Sequence, residues 1–181
     1  PSVQDKDIVA LADAASLMWR VQLYAGDDTP FPWTEVRDQA LPAAGQPGPA
    51  FRDAHAAFAF AASGDEDALN RLVDGVKKQA DQGSAVSREV TLPLVKGIGA
   101  FAKGRYGEAV DLLEPTYPHL PRIGGSHAQR EVFEDTLLEA YLRAEQFEKA
   151  EDMLRQRLGN RPSARDEQWL ARTGGGNGAP R

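Results

Sequence analysis

The chain has no cysteine, which excludes disulfides and thiolate metal sites and leaves the redox compartment undecided. No run of Lys or Arg exceeds the pair Lys77 and Lys78, and acidic residues outnumber basic ones 27 to 21. A stripe that could track a phosphate backbone is therefore missing, so nucleic acid is not an expected partner. No apolar stretch approaches the roughly 18 residues of a membrane span. The opening Pro-Ser-Val-Gln-Asp-Lys-Asp has neither the basic end nor the apolar middle of a signal peptide. Cytoplasm is the expected location, with no membrane partner. The nucleophile-elbow, phosphate-loop and dinucleotide fingerprints are missing. With no H-x-x-x-H or H-E-x-x-H spacing, no metal and no cofactor is expected.

What is present is ordinary globular composition: 181 residues, 41% apolar and 27% charged, with a net charge of −6. That length can bury a real core. The chain begins at Pro1 rather than methionine, so either an initiator was removed or a longer parent exists. The strongest positive signal is a period. Ala68, Ala109 and Ala150 are spaced 41 residues apart, twice over. Leu72, Leu113 and Leu154 follow them by one helical turn; Ala56, Gly97 and Leu138, and Phe60, Phe101 and Leu142, precede them at shared distances. A fixed period of this size with small and large apolar residues in register predicts stacked helical hairpins. The expected fold class is all-α, an α-α superhelix or solenoid in a single domain over residues 1–172.

The hydrophobic spacing places a first helix from about 5 to 25, ended by Gly26-Asp27-Asp28-Thr29-Pro30, and a short one over roughly 32–39. The stretch 42–49, rich in proline and glycine, reads as a loop. Three hairpins then pair about 49–62 with 64–82, 85–103 with 106–118, and 126–144 with 147–158. Ser63-x-x-Glu66 reads as a capping box for the second helix of the first hairpin. Pro93 is expected to bend its helix. A capping helix, roughly 163–172, starts at Ser163, and 173–181 reads as a flexible tail.

The segment 97–121 resembles the tetratricopeptide pattern through Gly97, Gly104, Tyr106, Ala109 and Pro121. Leu138, Tyr141, Phe147, Ala150 and Pro162 repeat that match, and the first hairpin is a weaker copy. Four further segments resemble the C-terminal half of the tetratricopeptide repeat protein 38 family: Leu11-Ala12-Asp13-Ala14-Ala15-Ser16-Leu17-Met18-Trp19-Arg20, Asp53-Ala54-His55-Ala56, Ser87-Arg88-Glu89-Val90 and Gly124-Gly125-Ser126-His127-Ala128-Gln129-Arg130-Glu131-Val132. The resemblance spans about 8–172. It implies a helical-repeat fold, and an N-terminal half of further repeats beyond this chain.

Two polar motifs stand out. In Gly124-Gly125-Ser126-His127-Ala128-Gln129-Arg130, Ser126 and Gln129 can form a capping box with no ligand. His127 and Arg130 are left over, and an arginine in a first helical turn opposes the helix dipole unless an anion compensates. Arg52, Asp53 and His55 interrupt an Ala/Phe run, and read either as a satisfied buried cluster or as one wall of a groove site facing His127. Arg88 and Glu89, echoed by Arg130 and Glu131, are expected to form inter-repeat ion pairs at the surface. The face around Leu11, Met18 and Trp19 is expected to be an interaction surface for preceding repeats or a second copy. The leading functional expectation is a non-enzymatic scaffold holding a protein or peptide in its concave groove. The alternative is an anionic small-molecule-binding or hydrolytic protein whose site would join Asp53, His55, Ser126, His127 and Arg130, marked by convergence of His55 on His127.

Overall fold

A computed structural model of the chain describes residues 3–25 and 30–174. Among them it holds nine α-helices and no strand. These are α1 (Val3–Ala25), α2 (Trp33–Gly45), α3 (Ala50–Ser63), α4 (Glu66–Asp81), α5 (Leu92–Ala102), α6 (Tyr106–Leu113), α7 (His127–Arg143), α8 (Phe147–Asn160) and α9 (Ala164–Gly174). A π-helical turn, Ser87–Thr91, leads into α5, and a 3-10 helix, Tyr117–Ile123, connects α6 to α7. The all-helical class is as expected. The segment 26–29, read as the end of α1, lies outside the described residues, as does 175–181 of the expected tail.

Consecutive helices pair: α3 with α4, α5 with α6, α7 with α8. The first helices of these pairs also touch, α3 on α5 and α5 on α7. Ala68, Ala109 and Ala150 are all fully buried near the start of α4, α6 and α8. At Gly97 an added Cβ would run into the Leu113 side chain, so the small residue sets how closely α5 and α6 approach. Residues 131–142 of α7 are buried without interruption. Helices α1, α5, α6 and α8 and the 3-10 helix pack around α7, which leaves no side of that stretch for solvent, while the start of its first turn is exposed.

Local rules explain where elements depart from their expected limits. Helix α2 runs on to Gly45 through Pro42, in the stretch read as a loop. Ala40, Ala43 and Ala44 are buried there, and that packing outweighs the backbone hydrogen bond the proline removes. Ahead of α5 the chain takes one π turn, with Leu92 N–H reaching Ser87 O, so Pro93 falls in the first turn of α5, where its missing N–H costs little. Pro115 and Pro118 stop α6 at Leu113, and the chain continues as the 3-10 helix. Ser63 does not cap α4. Gly64, at φ 73°, closes α3 in a left-handed turn, which moves the start of α4 on to Asp65, whose carboxylate accepts from Ala68 N–H at 2.9 Å. The Ser63 hydroxyl donates back to Phe60 O instead. Helix α9 reaches Gly174, and Thr173 is buried in its last turn.

The turns inside the pairs carry a built-in contrast. Gly64 and Gly104 adopt left-handed φ values of 73° and 72°, but the corresponding turn between α7 and α8 has Glu145 at φ 58°. A side chain there costs about 1–2 kcal/mol. Glu145→Gly is therefore expected to raise stability by about 1 kcal/mol, seen as a rise in Tm of about 2–4 °C. A melting temperature that is unchanged or lower would count against the strain.

Candidate functional site

The row of α3, α5 and α7 is covered by α1, which packs on α3 and α7. Its anchor is Trp19. The indole stacks at a tilt on Phe58 of α3 at 4.9 Å and on Phe101 of α5 at 5.7 Å, while Nε1 donates to Thr136 Oγ1 of α7 at 3.0 Å. Trp33 of α2 meets it edge-on at 6.5 Å. Leu11, Ala12, Ala15, Met18 and Leu23 are buried on the same side of α1. This overturns the expectation that Leu11, Met18 and Trp19 form an external surface: they are interior, because α1 packs on α3 and folds back onto α7, more than a hundred residues further along. The far end of α1 is fastened by polar contacts, Arg20 to Ala128 O at 2.7 Å and Tyr24 to Asp135 at 2.6 Å.

The five residues singled out from the sequence separate into local structural roles. Asp53 is fully buried, accepting from Gly48 N–H on one oxygen at 2.7 Å and from two Arg52 nitrogens on the other at 2.9 and 3.1 Å. Burial pushes its carboxyl up, against the pull of Arg52 and of the Gly48 N–H. Arg52 also donates to Gln46 O, so the pair ties the 46–49 loop to the start of α3. His55 is fully buried, with Nδ1 at 2.7 Å from Phe51 O and Nε2 at 3.2 Å from Gln129 O, and its ring lies 5.0 Å from that of Phe133. The shorter contact assigns the one proton of the neutral ring to Nδ1. His127 is exposed on another side of α7, 3.7 Å from Glu134. Phe133 and His127 are six residues apart, roughly 120° around the helix. Phe133, against the His55 ring, and His127 thus lie on different sides of α7, and each imidazole has its own partners there, Gln129 O for His55 and Glu134 for His127.

Ser126 and Gln129 form the capping box: Ser126 Oγ accepts from Gln129 N–H at 3.2 Å, and Gln129 Oε1 accepts from Ser126 N–H at 2.9 Å. Arg130 curls back and donates through one nitrogen to Gly124 O and Gly125 O, so carbonyl dipoles answer its charge at the helix start. Gly125, at φ 74°, is needed for another reason as well, since a Cβ there would collide with the Phe51 ring. Ser126→Ala is expected to cost about 0.5–2 kcal/mol, and His127→Ala close to nothing. Equal losses in denaturant titrations of the two variants would contradict this division.

His55 also sets a pH dependence. Burial, the largest influence, holds its pKa below the ordinary 6.5, although the two carbonyls pull upward. Across that interval the unfolded chain binds the extra proton, so stability rises with pH through it and falls on acidification below about 6.5. Asp53 and Glu134, raised chiefly by burial, act with the opposite sign around the carboxylate range. The stability difference between the wild type and His55→Phe isolates the histidine, and is expected to narrow as pH falls. A constant difference would mean that His55 does not titrate between the two states.

The densest polar constellation was not anticipated. Arg157 is buried and donates to Asp135 at 2.8 Å, Asp166 at 3.1 Å and Glu131 at 3.2 Å. Arg165 reaches Glu131 at 3.3 Å, Asp166 at 3.2 Å and Asp135 at 3.6 Å, and Arg161 also binds Glu131. Arg20 of α1 adds contacts of 3.3 Å to Asp135 and 3.8 Å to Glu131. Burial lowers the Arg157 pKa, but Asp135 and Asp166 more than offset this, so it stays above its ordinary value and the side chain remains charged. Glu131 is therefore no surface partner for a neighbouring repeat; Glu89 instead pairs with Arg122 at 2.6 Å, and with Arg88. The signal was legible in part: Glu131, Asp135 and Glu139 recur every four residues along one face of α7, which puts three carboxylates in one buried row. Glu139, the third, is held by Arg143 and by both terminal nitrogens of Arg172.

Chemically this is a fastening among α1, α7, α8 and α9, in which buried carboxylates and guanidinium groups face one another. Among the described residues, no group of three or more His, Asp or Glu side chains is placed to hold a metal, and no helix is long and apolar enough to cross a membrane. Fold and site together define an all-helical protein that clasps its own first helix across the row α3, α5 and α7. No family model matches the chain, and no solved structure matches it.

Proposed function

We propose that the chain is a non-enzymatic helical-repeat scaffold whose groove binds a helix of a protein or peptide partner; its resemblance to the tetratricopeptide repeat protein 38 family bears on the helical-repeat fold alone. The solenoid reading rests on the 41-residue period and on the burial of Ala68, Ala109 and Ala150 at matching places in three helix pairs. The binding reading rests on one observation: Trp19 of α1 is seated among Phe58, Phe101 and Thr136, one residue from each first helix. That is the arrangement of an amphipathic helix laid in a groove with an aromatic anchor. A partner helix carrying an aromatic anchor followed by a basic residue, as in Trp19-Arg20, would compete with α1 for the same face.

The test is binding of a fluorescein-labelled peptide of residues 3–25 to the full chain. Trp19→Ala, which weakens the resident helix, is expected to bind the peptide at least about tenfold more tightly than the wild type, since the competing state is less populated. A Trp19→Ala chain that keeps its helical circular dichroism and yet does not bind the peptide would remove the groove reading.

A further inference from the structure

Helix α1 is apolar on both sides, and only one side is accounted for by the groove. Four large apolar side chains are exposed among the described residues, and three of them lie on α1: Val9 at 45%, Leu17 at 64% and Tyr24 at 40%. The fourth, Leu41, is on α2. Ala10, Ala14, Leu17, Val21 and Tyr24 follow one another at steps of four, three, four and three. That spacing draws a straight apolar seam along a helix, the pattern that pairs helices in coiled coils. A helix that is apolar all round is normally covered all round.

We propose that this outward face of α1 pairs with the same face of a second copy of the chain, antiparallel, about a two-fold axis at Leu17. The order of sizes along the seam argues for this occupant. Small residues, Ala10 and Ala14, fill its first half, and larger ones, Val21 and Tyr24, its second. About a two-fold axis at Leu17, residues before Leu17 meet residues after it in the second copy. Ala10, seven before, then lies opposite Tyr24, seven after, and Ala14, three before, lies beside Val21, four after, so small meets large on either side of a central Leu17 pair. A parallel pairing would set Tyr24 on Tyr24 and Ala10 on Ala10, with a clash at one end and a gap at the other.

Charge follows the same symmetry. Asp13 and Arg20 flank the seam on one side, seven residues apart. The antiparallel arrangement puts Asp13 of each copy beside Arg20 of the other, at two symmetric places, where Arg20 shares its charge with Asp135 and Ala128 O of its own chain. Asp13 is exposed, and its contact within the chain is a long one, 3.4 Å from Gln129 Nε2. The seam is also stiff before it meets anything. Trp169 packs on the Tyr24 ring at 5.0 Å, the Arg165 guanidinium covers it at 5.2 Å, and the hydroxyl is bound to Asp135. A two-fold contact of one patch with itself closes at two copies and leaves no open chain of molecules. A single helix pair buries less than a standard interface, so the affinity is expected on the order of micromolar.

The experiment uses the intact chain, and the lack of cysteine makes single-thiol variants unambiguous. Sedimentation velocity from about 1 to 100 µM is expected to show a reversible monomer–dimer equilibrium. Leu17→Asp is expected to stay monomeric throughout with unchanged circular dichroism and Tm, because the side chain it replaces is mostly in solvent. Under mild oxidation Leu17→Cys is expected to form a disulfide-linked dimer by itself. Ala14→Cys and Val21→Cys are expected to cross-link only when mixed with each other. A wild type monomeric at 100 µM, or a Leu17→Asp chain that still dimerises, would overturn the proposal. Self-linking of Ala14→Cys and Val21→Cys would overturn the antiparallel pairing.

Discussion

Arg157→Ala is expected to cost about 3–5 kcal/mol of stability, a large fraction of what a domain of this size possesses. The reason is what stays behind. Arg157 is the guanidinium at the centre of a buried group, bonded to Asp135, Asp166 and Glu131 from three nitrogens. Without it, the fully buried carboxylates of Asp135 and Asp166 keep only Tyr24 and the partly exposed Arg165 and Arg20 as partners. Arg157→Lys is expected to recover little, since a single ammonium cannot serve three carboxylates set out for a planar fork. Adding Asp166→Ala to Arg157→Ala is expected to cost less than the sum of the two single changes, because the pair fails together. Urea titrations of the four proteins measure this. A loss below about 1 kcal/mol for Arg157→Ala, the size typical of an exposed ion pair, would show that water reaches the cluster.

Trp19→Ala is expected to cost about as much, roughly 3–5 kcal/mol, by a different route. The indole touches α3, α5 and α7 together, so its removal opens a cavity where four helices meet. Trp19→Phe keeps most of the ring contacts and gives up the bond to Thr136. It is expected to lose about 0.5–1.5 kcal/mol for that bond, plus a smaller packing loss. The Thr136 hydroxyl is not orphaned by either change, since it also donates to Val132 O. Thermal melts followed by circular dichroism distinguish the two. If Trp19→Ala melts like the wild type, α1 is not seated on the row in solution.

These residues also show what could be read in advance and what could not. The phase of Ala68, Ala109 and Ala150 was legible because a small residue recurring at one place in a helix pair reports close approach of its neighbours, which is a local matter. The cap at Ser126 and Gln129 was legible for the same reason: both partners lie within one helical turn. Ser63 and Glu66 showed the same spacing and misled, because Gly64 between them ends one helix in a left-handed turn before the next can start. The extent of α2 past Pro42 was not legible, since it depends on alanines whose burial is decided by other helices. The position of α1 was hidden more deeply. Its apolar side marks it as buried somewhere, but nothing near it in the chain says that Thr136 and Asp135 are its partners. The arginine cluster escaped because its members come from four helices, and because charged residues on a helix usually mean solvent. His127 and Arg130 drew notice as unexplained charges, and were explained by Glu134 and by two glycine carbonyls that only the folded turn brings near.

The bond from Trp19 to Thr136 spans 117 residues, and that span has a temporal meaning. A ribosome adds residues at about 5–20 per second, so the tryptophan waits on the order of ten seconds after its own synthesis before its acceptor exists. In that interval the first helix can meet α3 and α5, but the wall of its seat that α7 supplies is still missing. The tryptophan side of the helix is therefore only partly covered ahead of an unfinished body. Holding factors that bind such helices should engage it then, and should lose their grip once the residues of the seventh helix emerge and the tryptophan closes into place.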